Sequence, residues 1–373
     1  MTEYQIAFDD ERWQKVEDTW DAYWAHELER PILWLETVDK AKAAELPQMP
    51  EFTSNLSNDV PADEMVSRAE AQLSAKQFHG DTFPKWWINY GAGIMAGFLG
   101  AKVDITPETD TVWFSPPGNE IPDIETLSFA YDPENIWWKR IQDLTKTAAE
   151  RWKKDIQVSY TDIGGGMDIL ASFLTSEEML VECVDSPEHI ERLVQELTGL
   201  WIRYYNELDA LIRPHARGVT PWAPIFSHER TYMLQCDFSY MISPEMFNRF
   251  GLPEMVTCSA ALDHAFYHMD GPGELPHLDK LLNVPTMKGI QWQPGDGQPM
   301  ADQWPEVLNK ILDAGKLVQT FADAESAMNI AKNYKGGKDF VVMLLHHDMN
   351  AEEAEAFTRE FYAEAERSRK KLI

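Results

Sequence analysis

The sequence predicts an α/β protein, a (β/α)8 TIM barrel. From residue 156 onward, short β-prone runs alternate with helical patterns through short links, the order that builds a parallel sheet. Counting PILWLET (31–37) and IQVSYTD (156–162) with six later runs gives eight strands, the number that closes such a barrel. The runs have apolar bodies and polar, reactive ends, as expected where chemistry sits at the carboxyl ends of barrel strands. With 373 residues, 44% of them hydrophobic, the chain suffices for one large core. A single domain over 1–373 is expected. Residues 1–30 and 40–80 would be helical and loop additions outside the barrel, and an excursion around 86–118 would lie over one end.

Each element has a local reason. Residues 9–29 read as an amphipathic helix, with Trp13, Val16, Trp20, Tyr23 and Trp24 at helical spacing. The first strand, 31–37, precedes a loop rich in Pro, Asn and Ser at 40–62 and a helix at 63–76. Strands at 86–91 and 109–114 flank a glycine-rich helix at 92–100, and Pro116, Pro117 and Gly118 end that unit. A helix at 133–154 leads to the strand and glycine loop of 156–166. Helices at 167–173 and 187–212 follow, then strands at 218–224 and 231–238. Ser243 caps the next helix, with Pro244 at its first position and Glu245 in its first turn. Strands at 264–270, 287–295, 316–323 and 339–348 alternate with helices at 276–282, 304–314 and 324–334. Asn350 caps a terminal helix that is acidic at its start and basic at its end, which suits the helix dipole.

A net charge of −29 excludes nucleic acid and anionic membrane surfaces as partners. No apolar run reaches membrane-spanning length, and the acidic N-terminus lacks the apolar core of a signal peptide. The three cysteines, Cys183, Cys236 and Cys258, have no paired spacing, so no disulfide framework is expected. These features point to a soluble, cytoplasmic protein acting on a small molecule. Most of the 14 tryptophans are expected in the core, with some lining a pocket for a sugar or aromatic ring.

The candidate site gathers the strand ends. His268 and Asp270 are two apart on a strand, so both point one way, and Met269 points the other. Gly271-Pro272-Gly273 then turns the chain and lets a ligand approach the backbone. With His346 or His347 from the last strand, His268 and Asp270 form a zinc-type ligand set; the alternative is a His–Asp pair that orients a loop. Asp237, just past an apolar strand, is expected to be catalytic along with His268 and Asp270, the alternative being a salt bridge to Arg230 or Arg249. Asn89, Tyr90, Trp222, Trp292 and Gln293 are the expected substrate-binding residues. Cys236 reads as a small buried residue. IGGGMD (163–168) matches no phosphate-binding fingerprint; its glycines present backbone N–H groups to an anion or allow close packing.

Three segments resemble the uroporphyrinogen decarboxylase superfamily. TDIGGGMDILASFLTSEEMLVECVDSPEHIERLVQELT (161–198) and FSYMISPEMFNRFGLPEM (238–255) are similar to its Asp-x-Pro-Glu and Ser-Pro-Glu segments. HMDGPGELPHLDKLL (268–282) falls where its corrinoid-dependent methyltransferase branch carries His-x-Cys-Gly. The resemblance runs from about residue 31 to the C-terminus and implies a (β/α)8 barrel. Two departures matter. LWLETVDKAK (33–42) lacks the arginines that hold porphyrin carboxylates, so the decarboxylation is not expected. Asp270 stands where the branch has a zinc-binding cysteine, and the later cysteine falls in VVMLLHHD, where His346 or His347 stands in. Such a site is harder and suits polarising an oxygen rather than holding a thiol. The resemblance therefore implies transfer of a methyl group from a small O- or N-methylated substrate to a corrinoid on a partner protein, with metal or acid assistance. The alternative is a lyase, hydrolase or isomerase acting on a sugar-like or cyclitol ring.

Overall fold

The structure, a computed structural model, describes residues 4–106, 111–345 and 347–371. Its strands are β1 (Ile32–Val38), β2 (Lys76–Gly80), β3 (Lys85–Trp87), β4 (Lys102–Thr106), β5 (Thr111–Ser115), β6 (Gln157–Ser159), β7 (Thr231–Leu234), β8 (His264–Asp270), β9 (Met287–Gln293), β10 (Leu317–Ala322) and β11 (Phe340–Leu344). Seven of them form one sheet in the order β2-β1-β11-β10-β9-β8-β7. Every pair in it is parallel except β1–β2. A second, parallel pair joins β3 to β6, and β4–β5 is an antiparallel hairpin. Helices alternate with the parallel strands, the longest being Pro187–Ile212. The α/β class is as expected. The continuous eight-stranded ring is not: among the described residues, hydrogen bonds do not close these strands into one cylinder.

Three local differences have physical causes. β2 was hidden because KQFHG follows the helix Ala62–Ser74 directly and alternates poorly. β3 belongs with β6, so the excursion narrows to the β4–β5 hairpin. The strand expected at 218–224 is reduced to two isolated bridges, Ser159 to Thr220 and Val219 to Ser227. Pro221 and Pro224 have no N–H to donate to a ladder there. Lys85 takes over the link: its ammonium donates to the carbonyls of Pro221 (3.2 Å) and Trp222 (2.6 Å) and to Ser159 Oγ (3.3 Å).

The first helix, Asp10–Trp24, is no peripheral addition. Trp13, Val16, Trp20 and Tyr23 pack with Ile32, Trp34, Phe266, Leu317 and Val341, which face away from the helix-covered side of the sheet. The alternate residues Leu33 and Leu35 join the larger cluster shared with the surrounding helices. Tyr23 donates to the Val318 carbonyl at 3.0 Å, and Trp24 stacks on His264 at 4.1 Å. The helix therefore covers the amino ends of the strands and leaves their carboxyl ends for ligands. No helix among the described residues is long and apolar enough to cross a membrane.

Buried Asp81 ties distant parts of the chain together. It accepts two bonds from Arg30 (2.6 and 2.7 Å), one from the Leu33 N–H (3.2 Å) and one from the Tyr362 hydroxyl (2.6 Å). This node links the start of β1, the end of β2 and the terminal helix Ala351–Lys370. Removing one partner of such a pair strands the other charge. Asp81→Ala is expected to lower the unfolding free energy by about 3 kcal/mol, and Asp81→Asn by less, as measured by urea denaturation.

Candidate functional site

His268 sits near the carboxyl end of β8, half-buried, opposite Gln291 of β9. Its Nδ1 bonds the Gln291 side-chain oxygen, and Gln291 in turn donates to the Gln319 oxygen on β10. The Trp222 ring meets the imidazole edge-to-face, with centroids 5.3 Å apart. Asp162, in the loop just past β6, is buried; its carboxylate accepts from the Gly164 N–H at 2.8 Å. Burial pushes this carboxyl up to about 7, with Asp237 adding to the rise and His268 opposing it. Asp162, Asp237 and His268 thus sense one another across three strand ends.

The glycine loop after β6 is built around carboxylates. Gly164 has φ +71°, and a Cβ there would lie 2.7 Å from Gly93 Cα. The Gly166 N–H donates to Glu254 at 2.7 Å, and a Cβ on Gly166 would lie 2.9 Å from that carboxyl. The backbone N–H groups that the sequence offered to an anion therefore hold the chain's own Asp162 and Glu254. Glu254 is also pushed up to about 7, by burial. Asp168 accepts from the backbone of Asp237 (3.1 Å) and Phe238 (2.7 Å) and so fixes the turn that carries Asp237. Glu274 accepts from the Tyr267 hydroxyl (2.9 Å) and the Asp270 N–H (3.2 Å); burial and Asp237 raise it well above the usual range.

Asp237 and Asp270 line one cavity of about 330 Å³ with Tyr240 and Asp296. Burial of its carboxyl raises Asp237, His268 opposes the rise and Asp270 adds to it. The residue as a whole is exposed at the rim, so water screens these effects. Neither arginine pairs with Asp237: Arg249 binds Glu188 and Glu191, and Arg230 binds Asn206. A larger cavity of about 600 Å³ is walled by Trp34, Trp87 and Trp222, with Lys85 and the Glu36–Lys76 ion pair (2.6 Å) on its lining. Burial pushes Lys85 down to about 7, with Glu36 opposing.

The other expected site residues are dispersed. Trp292 points to the opposite face of β9 from Gln291 and packs, fully buried, on Trp304 at 5.4 Å; it is core, not a pocket wall. Gln293 lines a separate cavity of about 170 Å³ beside Phe321. Asn89 is buried and accepts from the Gly91 N–H at 3.0 Å, and the Tyr90 hydroxyl reaches Asn58 at 3.4 Å. Both serve the neighbouring loop and line neither cavity at the strand ends. His347 lines a cavity over β1 with Thr37 and Lys40. His346 lies outside the described residues. Among the described residues no group of three or more His, Cys, Asp or Glu is placed to hold a metal ion. The zinc ligand set is thus not assembled by His268, Asp270 and His347. Cys236 is fully buried, as read. Asp162 and Lys85 were missed; their signals were a carboxylate wedged between an apolar strand and glycines, and one lysine inside the aromatic run FPKWW.

No protein-family model matches the sequence, and no curated protein matches it. Among solved structures, the fold is similar to that of a methyltransferase from Methanosarcina mazei, with a TM-score of 0.62 at 12% identity, over 93% of this chain and 99% of that one. At this identity the likeness establishes a shared fold.

Asp162 has a measurable signature. Between about pH 4, where the unfolded carboxyl titrates, and about 7, where the folded one does, the native state holds a proton that the unfolded state releases. Wild-type stability therefore falls as pH rises through that window. Asp162→Asn removes this residue's share of the fall and leaves that of the other buried acids, such as Glu254. The stability of the variant relative to wild type is expected to rise by up to about 4 kcal/mol from pH 4 to 7 and then level off, as read from denaturation curves.

Proposed function

We propose that this protein is a methyltransferase-like enzyme of the uroporphyrinogen decarboxylase superfamily, nearest its corrinoid-dependent branch. It would move a methyl group from a small O- or N-methylated donor to a corrinoid carried by a partner protein, in the cytoplasm. The observation that carries this reading is His268 set edge-to-face against Trp222, a wall of the tryptophan-lined cavity, with Asp162, a buried carboxyl raised to about 7, within its electrostatic reach. The likeness to a methyltransferase over nearly the whole chain supports it. We read the parallel strands of the two sheets as one barrel of the (β/α)8 kind, open where residues 219–222 replace a strand.

The donor's ring or chain would rest on Trp222 and Trp87, whose rings lie 6.2 Å apart at 37°. Asp162 would give its proton to the oxygen or nitrogen that loses the methyl group. That atom keeps the bonding pair, so a neutral alcohol or amine leaves. A reduced corrinoid supplies, when bound, the nucleophile that takes the methyl. Asp237 and Asp270, which line a separate cavity, would favour the positive charge that develops on the methyl carbon through their field rather than by contact. Asp162 then recovers a proton from solvent.

The test is demethylation of O- and N-methylated donors by the purified chain with a reduced corrinoid protein, followed by mass spectrometry. Asp162→Asn is expected to lower kcat by about 10²–10⁴-fold, the usual contribution of a general acid. Wild-type activity is expected to fall as pH rises above about 7, where Asp162 loses its proton. Trp222→Ala is expected to raise KM more than it lowers kcat. Failure of every donor, or turnover of a sugar or cyclitol with no corrinoid present, would remove methyl transfer and favour acid–base chemistry at the same residues.

A further inference from the structure

His268, Gln291 and Gln319 lie side by side on three adjacent parallel strands, with Gln291 in register with both neighbours. Gln291 and Gln319 are fully buried. A buried amide is costly unless both of its ends are bonded, and Gln291 satisfies that requirement. Its NH2 donates to the Gln319 oxygen and its own oxygen faces His268 Nδ1. An amide oxygen can only accept. With the amides in this orientation, the proton of the neutral imidazole sits on Nδ1, which leaves Nε2 bare.

We propose that Gln291, oriented by Gln319, is a positioning residue that holds His268 in the Nδ1–H tautomer, with the Nε2 lone pair as the electron-pair donor of the site. This inference rests on the functional reading above and divides its roles. A bare Nε2 has no proton to give, so His268 orients or accepts while Asp162 donates. The ring cannot turn over without breaking its Gln291 bond, and Trp222 packs against it at 5.3 Å. The NH2 of Gln319 is buried without an acceptor among the described residues. The reverse orientation of both amides would set a donor against Nδ1 and put the proton on Nε2. The two arrangements therefore predict opposite tautomers.

The experiment reads the tautomer directly, by two-bond 1H–15N correlation spectra of the deuterated full chain carrying 15N-histidine. His268 is assigned by the signals lost in His268→Gln. The expected wild-type pattern is a protonated Nδ1 and an unprotonated Nε2. Gln291→Glu, which keeps an acceptor, should preserve it, and Gln291→Leu should move the proton to Nε2 and lower kcat for methyl transfer about 10–100-fold. A wild-type Nε2–H pattern, or a Gln291→Leu spectrum unchanged from wild type, overturns the proposal. Should Gln291→Leu fail to fold, Gln319→Leu frees the Gln291 amide to turn over and should give a mixture of tautomers; a pure Nδ1–H pattern there overturns the relay. The spectra need no substrate, so a chain that transfers no methyl group yet shows this pattern refutes the functional reading alone.

Discussion

Gln291 meets His268 on one side and Gln319 on the other because β8, β9 and β10 run parallel and in register. Side chains alternate along a strand, so a slip of one residue would face Gln291 with Met269 and send its amide into the helix-packed core. Register is thus specified twice, by apolar alternation and by the need of two buried amides for partners. The same register sets Asp270 opposite Gln293 and brings the carboxyl ends of the strands level. The geometry around His268 is a consequence of that alignment.

The mouth is rich in carboxyl groups, and burial raises Asp162, Asp168, Glu254 and Glu274. So many buried acids cannot all ionise together. Each is instead met by at least one backbone N–H: Gly164 for Asp162, Asp237 and Phe238 for Asp168, Gly166 for Glu254, and Asp270 for Glu274. These bonds limit the cost of burial and draw three loops together. Positive charge on His268, when its imidazole is protonated, favours ionisation of both Asp162 and Asp237. Proton position in this region is therefore a property of the group and not of one residue.

Where hydrogen-bonded strands end, side chains take over. Lys85 bonds two carbonyls that have no ladder partner and so holds Trp222 against the imidazole. At the opposite end, aromatic residues of the first helix fill the space between strand beginnings. One end of the sheet is thereby closed and packed. The other is left to polar groups and cavities.

The alternation of strands and helices, the N-caps at Ser243 and Asn350 and the pairing of His268 with Asp270 on one face were legible in the sequence, because each depends on residues close together in the chain. A charged residue at a strand end also announced itself locally, as at Asp237. The tertiary structure alone decided which ends meet. It placed His347 over β1 and away from His268, turned Trp292 into the core, and brought Asp162 to His268 across more than a hundred residues. It also decided how far burial moves each carboxyl. Spacing along the chain specifies the direction of a side chain, whereas its neighbours and its dielectric surroundings are set by how the strands pack in three dimensions.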